Sequence, residues 1–289
     1  MKGRKRKLYA ISDLHLPLAN DIRLTKFGAH WEQHEEVLAR KWDEVIDADD
    51  IVLVPGDISW AQTANRAKPD MEWLGQRTGE MYVSQGNHDR WWRSRKRLKE
   101  ILPENAHSVH DAWQPFFGGW IAATVGMTSP KDEFFGSYEK KKWPKALKRV
   151  ESLMDDLAEL RRKRPVPFVI LLMHYPPCSG DGEASEIAGL IEESPVDLCL
   201  YGHFHRKEEW ENAWQHTRGG TSWRFVAGDA LGFEPTLIGM LDDEELIVEP
   251  DVKPEYPTVR KVARDELSRT NSSEESESAT SNTTETTRS

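Results

Sequence analysis

An α/β fold with helix-covered sheets is what this sequence predicts, and three patterns point to it. Strand-length apolar runs, most with β-branched residues, recur through the chain. Between them lie stretches whose apolar residues fall at helical spacing, and strands alternating with helices imply layered sheets. Beyond residue 220 the pattern changes to strands joined by short turns, which predicts a second sheet or an antiparallel edge.

Taken in order, residues 1–7 form a basic end that leads into a first strand at 8–12. The apolar stretch there is too short for a secretory core and lacks a small-residue cleavage site. Leu38, Trp42, Val45 and Ile46 then share one helical face, followed by strands at 51–55, 81–85 and 120–126. An insert at 131–164 holds the longest helical candidate, with Leu147, Val150, Met154, Leu157 and Leu160 on one face and a stop at Arg164-Pro165. Its basic clusters at 140–142 and 161–164 read as solvated faces of a sheet-covering helix. Strands at 168–173, 196–201, 223–227, 236–241 and 245–248 complete the series. The domain is expected to span 8–262. Residues 263–289 are almost entirely polar, rich in Ser, Thr and Glu, and are expected to form a disordered tail.

Over 289 residues, charged side chains make up 30% and the net charge is −10, which suits a soluble protein. Mean hydropathy is −0.68, and no apolar run approaches the ~20 residues that span a bilayer. Cys178 and Cys199 form no CxxC pair, so neither a disulfide framework nor a structural zinc site is expected, and the cytoplasm is the expected compartment. The acidic balance argues against general binding to duplex DNA.

The chemistry lies in five segments of one design, an apolar strand with a metal-competent side chain just past its end. They are Ser12-Asp13-Leu14-His15, Pro55-Gly56-Asp57, Gly86-Asn87-His88-Asp89, Met173-His174 and Gly202-His203-Phe204-His205. Carboxyl ends of parallel strands share an edge where ligands gather, so these side chains should converge. In Asp13-x-His15 and His203-x-His205, alternation along extended backbone would turn both side chains to one side. Gly56, Gly86 and Gly202 precede candidate ligands, which suits positive φ or close backbone approach. Singly, each has a plainer reading: Asp57 as a helix N-cap, His174 as a satisfied core imidazole. Their joint occurrence, every one at a strand end, favours a metal site.

This ordered series resembles the calcineurin-like metallophosphoesterases, closer to the small bacterial and archaeal branch than to the eukaryotic protein phosphatases. The resemblance covers roughly residues 8–240 and implies a four-layer α/β/β/α sandwich with two mixed β-sheets. It implies two divalent ions, one held by Asp13, His15 and His205 and the other by Asn87, His174 and His203, with Asp57 bridging; oxygen and imidazole donors without thiolate suit Mn, Fe, Zn, Ni or Co and do not pick among them. It further implies that His88 is the catalytic histidine and Asp89 the acid that orients it, in the hydrolysis of phosphate mono- or diesters by attack of a metal-bound hydroxide. Where the protein phosphatases carry Asn-His-Glu and an arginine two residues on, this chain has Asp89-Arg90-Trp91-Trp92. Arg90 is therefore a candidate phosphate clamp without a family precedent, and Trp60 and Trp91 are candidates for the substrate mouth. The expected partner is a small phosphate ester, with no membrane and no general nucleic-acid binding. A non-catalytic scaffold of the same fold and a nuclease acting on DNA ends are the alternatives.

Overall fold

The computed structural model describes residues 5–19, 24–242 and 245–250. The expected tail at 263–289 lies outside them, as do 1–4 of the basic end. The chain divides into two compact units, one of Met1–Ile22 with Gln33–Pro257 and a second of Arg23–Glu32 with Thr258–Ser289. The described part of the second unit is two 3-10 turns, Leu24–Phe27 and Ala29–Trp31.

In the first unit the described strands are β1 (Arg6–Ala10), β2 (Ile51–Val54), β3 (Glu80–Val83), β4 (Ala106–Ser108), β5 (Gln114–Phe116), β6 (Gly119–Thr124), β7 (Val169–Met173), β8 (Leu198–Tyr201), β9 (Thr217–Arg218), β10 (Thr221–Phe225), β11 (Thr236–Leu241) and β12 (Leu246–Val248). The helices are α1 (His34–Val45), α2 (Lys68–Gly75), α3 (Arg95–Leu98), α4 (Ser137–Lys163), α5 (Glu186–Glu193) and α6 (Lys207–Asn212).

These strands make two six-stranded mixed sheets, ordered β12-β11-β1-β2-β3-β4 and β5-β6-β7-β8-β10-β9. In the first, β1 through β4 run parallel while β11 and β12 pair antiparallel along one edge. In the second, β6, β7, β8 and β10 are parallel, flanked by antiparallel β5 and β9. The C-terminal strands are thus divided: β10 extends the second sheet, and only β11 and β12 form the antiparallel edge.

Alternation explains the layering. Leu8, Ala10, Ile51 and Leu53 of one sheet and Ile121, Ile170, Leu172 and Leu200 of the other belong to one buried cluster. The alternate residues Val52, Val54, Met81 and Val83 are buried as well. Parallel strands covered on both faces account for the near-continuous apolar runs. Helix α4 buries Trp143, Val150, Leu153, Met154 and Leu157, while Lys140, Lys141 and Lys142 are exposed. This sandwich brings the carboxyl ends of β1, β2 and β3 from one sheet, and of β7, β8 and β10 from the other, to one rim.

Candidate metal centre

Past the strand ends the backbone keeps pairing, which fixes the loops that carry the candidate side chains. Asp13 N–H donates to the Gly56 carbonyl at 3.1 Å, His15 N–H to that of Asp57 at 2.9 Å, and Gly202 N–H to that of His174 at 3.1 Å. Asp13 (φ 55°), His15 (φ 44°), Asp57 (φ 53°) and His203 (φ 75°) all occupy left-handed backbone. Extended alternation is therefore not what joins the Asp13/His15 and His203/His205 pairs. Left-handed backbone does so, and non-glycine residues in such conformations concentrate at functional sites.

The glycines behave as expected. Gly56 has φ 93°. A Cβ on Gly86 would lie 2.0 Å from Asp57 Oδ1, and one on Gly202 would lie 2.1 Å from Asp13 Oδ2. Only a bare Cα admits these carboxylates.

Each carboxylate has one satisfied oxygen and one that is not. Asp13 Oδ2 accepts from Ser12 Oγ and from His203 N–H at 3.0 Å, and Asp57 Oδ1 accepts from His88 N–H at 2.8 Å. Asp13 Oδ1 and Asp57 Oδ2 are buried without a hydrogen bond. Imidazole nitrogens surround both. His205 Nε2 is 3.5 Å and His15 Nε2 3.7 Å from Asp13 Oδ1, while His174 Nε2 is 3.3 Å and His15 Nε2 3.7 Å from Asp57 Oδ2. On the far side, Asn87 Oδ1 lies 2.6 Å from His174 Nε2 and 3.0 Å from His203 Nδ1. Two nests of donor atoms result, with Asp57 Oδ2 between them. Buried acceptors left without protons are costly unless a cation occupies the space, so the residues present fit divalent ions. Asp13, His15 and His205, and separately Asp13, Asp57 and His174, are close enough to hold one.

The electrostatics agree. Burial would push both carboxyls up, yet His205 and His174 hold Asp13, and His174 and His15 hold Asp57, well below the usual carboxylate range. Burial lowers His15 to about 3. Against the same burial, Asp57 and then Asp13 raise His174 to about 9, and Asp229 and Asp13 raise His205.

Asp229 is a residue the sequence analysis missed. Fully buried, it receives His205 Nδ1 on Oδ2 at 3.0 Å, which turns His205 Nε2 toward Asp13. The signal was present: Gly228-Asp229 follows β10 in the same strand-then-ligand design.

Two expectations need correction. Asp89 does not touch the His88 ring. Its Oδ1 accepts from Ile58 N–H (3.0 Å), Ser59 N–H (3.1 Å) and Trp91 Nε1 (2.9 Å), and its Oδ2 from Gly86 N–H (2.8 Å). It ties the loops after β2 and β3 together. Trp91 is fully buried and spends its ring N–H on Asp89, hence core and not substrate mouth. Arg90 is exposed and donates to Gln62 Oε1 at 3.1 Å, and Gln62 in turn donates to the Trp60 carbonyl. Trp60 does line the site, stacked on His15 (centroids 5.0 Å apart) and 4.0 Å from the His88 ring. Burial lowers the pKa of His88.

Comparison with known proteins adds the following. Over 78 residues the chain is 33% identical to the Gene 66 protein of Mycobacterium phage L5, a match spanning 27% of this chain and 37% of the phage protein's length. Similar solved structures include a protein of unknown function from Aquifex aeolicus (16% identity, TM-score 0.42, covering 80% of this chain and 94% of that one). Another is the phosphopantetheinyl hydrolase of Mycobacterium tuberculosis (17% identity, TM-score 0.46, 78% and 90%). Among the described residues no helix is long and apolar enough to cross a membrane. The family model for calcineurin-like phosphoesterases matches residues 6–207, a span that contains every side chain of the two donor nests. The chain belongs to the calcineurin-like phosphoesterase family.

Proposed function

We propose that this protein hydrolyses small phosphate mono- or diesters at a pair of divalent cations, one held by Asp13, His15 and His205, the other by Asn87, His174 and His203, with Asp57 shared. The observation that carries this reading is the pair of buried, unbonded oxygens, Asp13 Oδ1 and Asp57 Oδ2, each ringed by imidazole nitrogens. A pair of cations held there would, when bound, lower the pKa of a water toward neutrality and polarise a phosphoryl oxygen. Two divalent ions bring more charge than Asp13, Asp57 and a hydroxide remove, so the site favours an anion within a chain of net charge −10.

The chain's own groups do the rest. Asp229 holds the His205 tautomer, while Asn87 and the imidazoles contribute no charge. His88 stands at the rim with its backbone N–H on Asp57 and its ring against Trp60, placed to pass a proton to the leaving oxygen. Trp60 keeps water from one side of His15 and His88. Two buried thiols, Cys178 and Cys199, suit a reducing compartment such as the cytoplasm.

The test is a screen of phosphomonoesters, cyclic nucleotides and phosphodiesters after reconstitution with Mn, Fe, Co, Ni or Zn, with Asp57→Asn as control. Metal-dependent turnover lost in the variant is expected. Equal rates in variant and wild type would remove Asp57 from the shared position.

A further inference from the structure

Beside His203 a pocket of about 100 Å³ opens between the segment that starts the insert, the loop after β7 and the start of α6. We propose that this pocket seats the organic group of the phosphate ester and selects small arms that are neutral or cationic over arms bearing another anion. The inference rests on the phosphoesterase reading, because His203 is shared between the donor nests and the pocket wall.

The wall chemistry carries the argument. Cys178 and Phe204 give it a buried apolar floor, and Phe134, 46% exposed, stands at its rim. Besides the His203 imidazole, its polar groups are the Thr128 and Ser129 hydroxyls and two buried carboxylates, Asp132 and Glu209. The carboxylates are fixed in place. Asp132 accepts Phe134 N–H at 2.9 Å and Gly180 N–H at 2.8 Å, and Glu209 accepts Arg206 N–H at 3.0 Å and the Arg206 guanidinium at 2.8 Å. Among the described residues no Lys or Arg lines the pocket. The neighbouring Arg206 is committed to Glu209 and to Glu133, 2.9 Å away, with its guanidinium 4.4 Å from the Phe134 ring centroid. An anionic arm would meet two carboxylates with no spare cation. A hydroxyl or ammonium would meet acceptors with remaining lone pairs. The cations fix the phosphate, and this wall sorts what is attached to it.

The experiment uses the metal-loaded full chain and two matched substrate series, phosphomonoesters and p-nitrophenyl phosphodiesters. Each carries an aminoethyl, hydroxyethyl or carboxymethyl arm. Aminoethyl and hydroxyethyl esters should exceed carboxymethyl esters by at least about tenfold in kcat/KM. Asp132→Asn and Glu209→Gln should each shrink that ratio by roughly threefold or more. Should Asp132→Asn fail to fold, Glu209→Gln and the wild-type arm series carry the test. Turnover indifferent to the charge of the arm, or faster for carboxymethyl, overturns the inference and leaves the phosphoesterase reading standing. No metal-dependent turnover of any ester sinks that reading, and the inference with it.

Discussion

Asp70 offers a test of the loops around the site that does not depend on metal. Its side chain is buried, with Oδ2 accepting from Ser59 Oγ and Oδ1 from Ala19 N–H at 3.2 Å. It thereby links the loop after β1 to the turn that carries Trp60. Burial raises its pKa from 3.8 to about 6, against the pull of these two bonds. Between those values the folded chain binds more proton than the unfolded chain. Stability is therefore highest below the unfolded pKa, falls as pH rises through the window and is flat above it. A shift of this size corresponds to up to about 3 kcal/mol lost at pH 8, and about 2 kcal/mol of that loss falls between pH 4.5 and pH 8. Asp70→Asn keeps the shape and one acceptor for Ala19 N–H while remaining neutral. Urea denaturation of metal-free protein should show the variant gaining about 2 kcal/mol on wild type across that interval. A stability difference that does not move with pH, or a variant less stable at pH 8, would refute the account of Asp70 as a carboxyl kept from ionising.

Three further outcomes follow from the site. Asp229→Ala should lower divalent-metal affinity about 10–100-fold in chelator competition, because His205 loses its fixed orientation; unchanged affinity would show that His205 needs no such support. Asp89→Ala should cost about 3–5 kcal/mol in metal-free denaturation by leaving buried N–H groups without an acceptor, and a variant as stable as wild type would contradict the stitching role. His88→Ala should retain metal, yet slow alkyl esters about 10²-fold more than activated aryl esters. Equal slowing of both classes would take His88 out of proton transfer.

The long strands were legible because burial on both faces leaves uninterrupted apolar runs, as in Val169–Met173. The short edge strands were not. Gln114–Phe116 is three residues with a proline at its centre, which an edge tolerates but which erases the sequence signal. The seven candidate ligands were legible as a set, since each follows a strand. Their local geometry was not, because nothing in Asp13-x-His15 announces left-handed backbone. Asp229 went unread because residues 223–227 were assigned to a C-terminal turn-linked unit, whereas pairing with β8 carries that strand to the same rim. Asp89 and Trp91 were misread for a related reason. Adjacency to His88 along the chain says nothing about which way a buried carboxylate or indole turns, and three backbone N–H groups from the loops after β2 and β3 decide it.

Of the seven donors, Asp13, His15, Asp57 and Asn87 follow strands of the first sheet, whereas His174, His203 and His205 follow strands of the second. Neither half of the polypeptide holds a complete coordination set. A bound ion pair would work as a clasp across the sandwich, so loading should slow the parting of the two layers more than the fraying of either one alone.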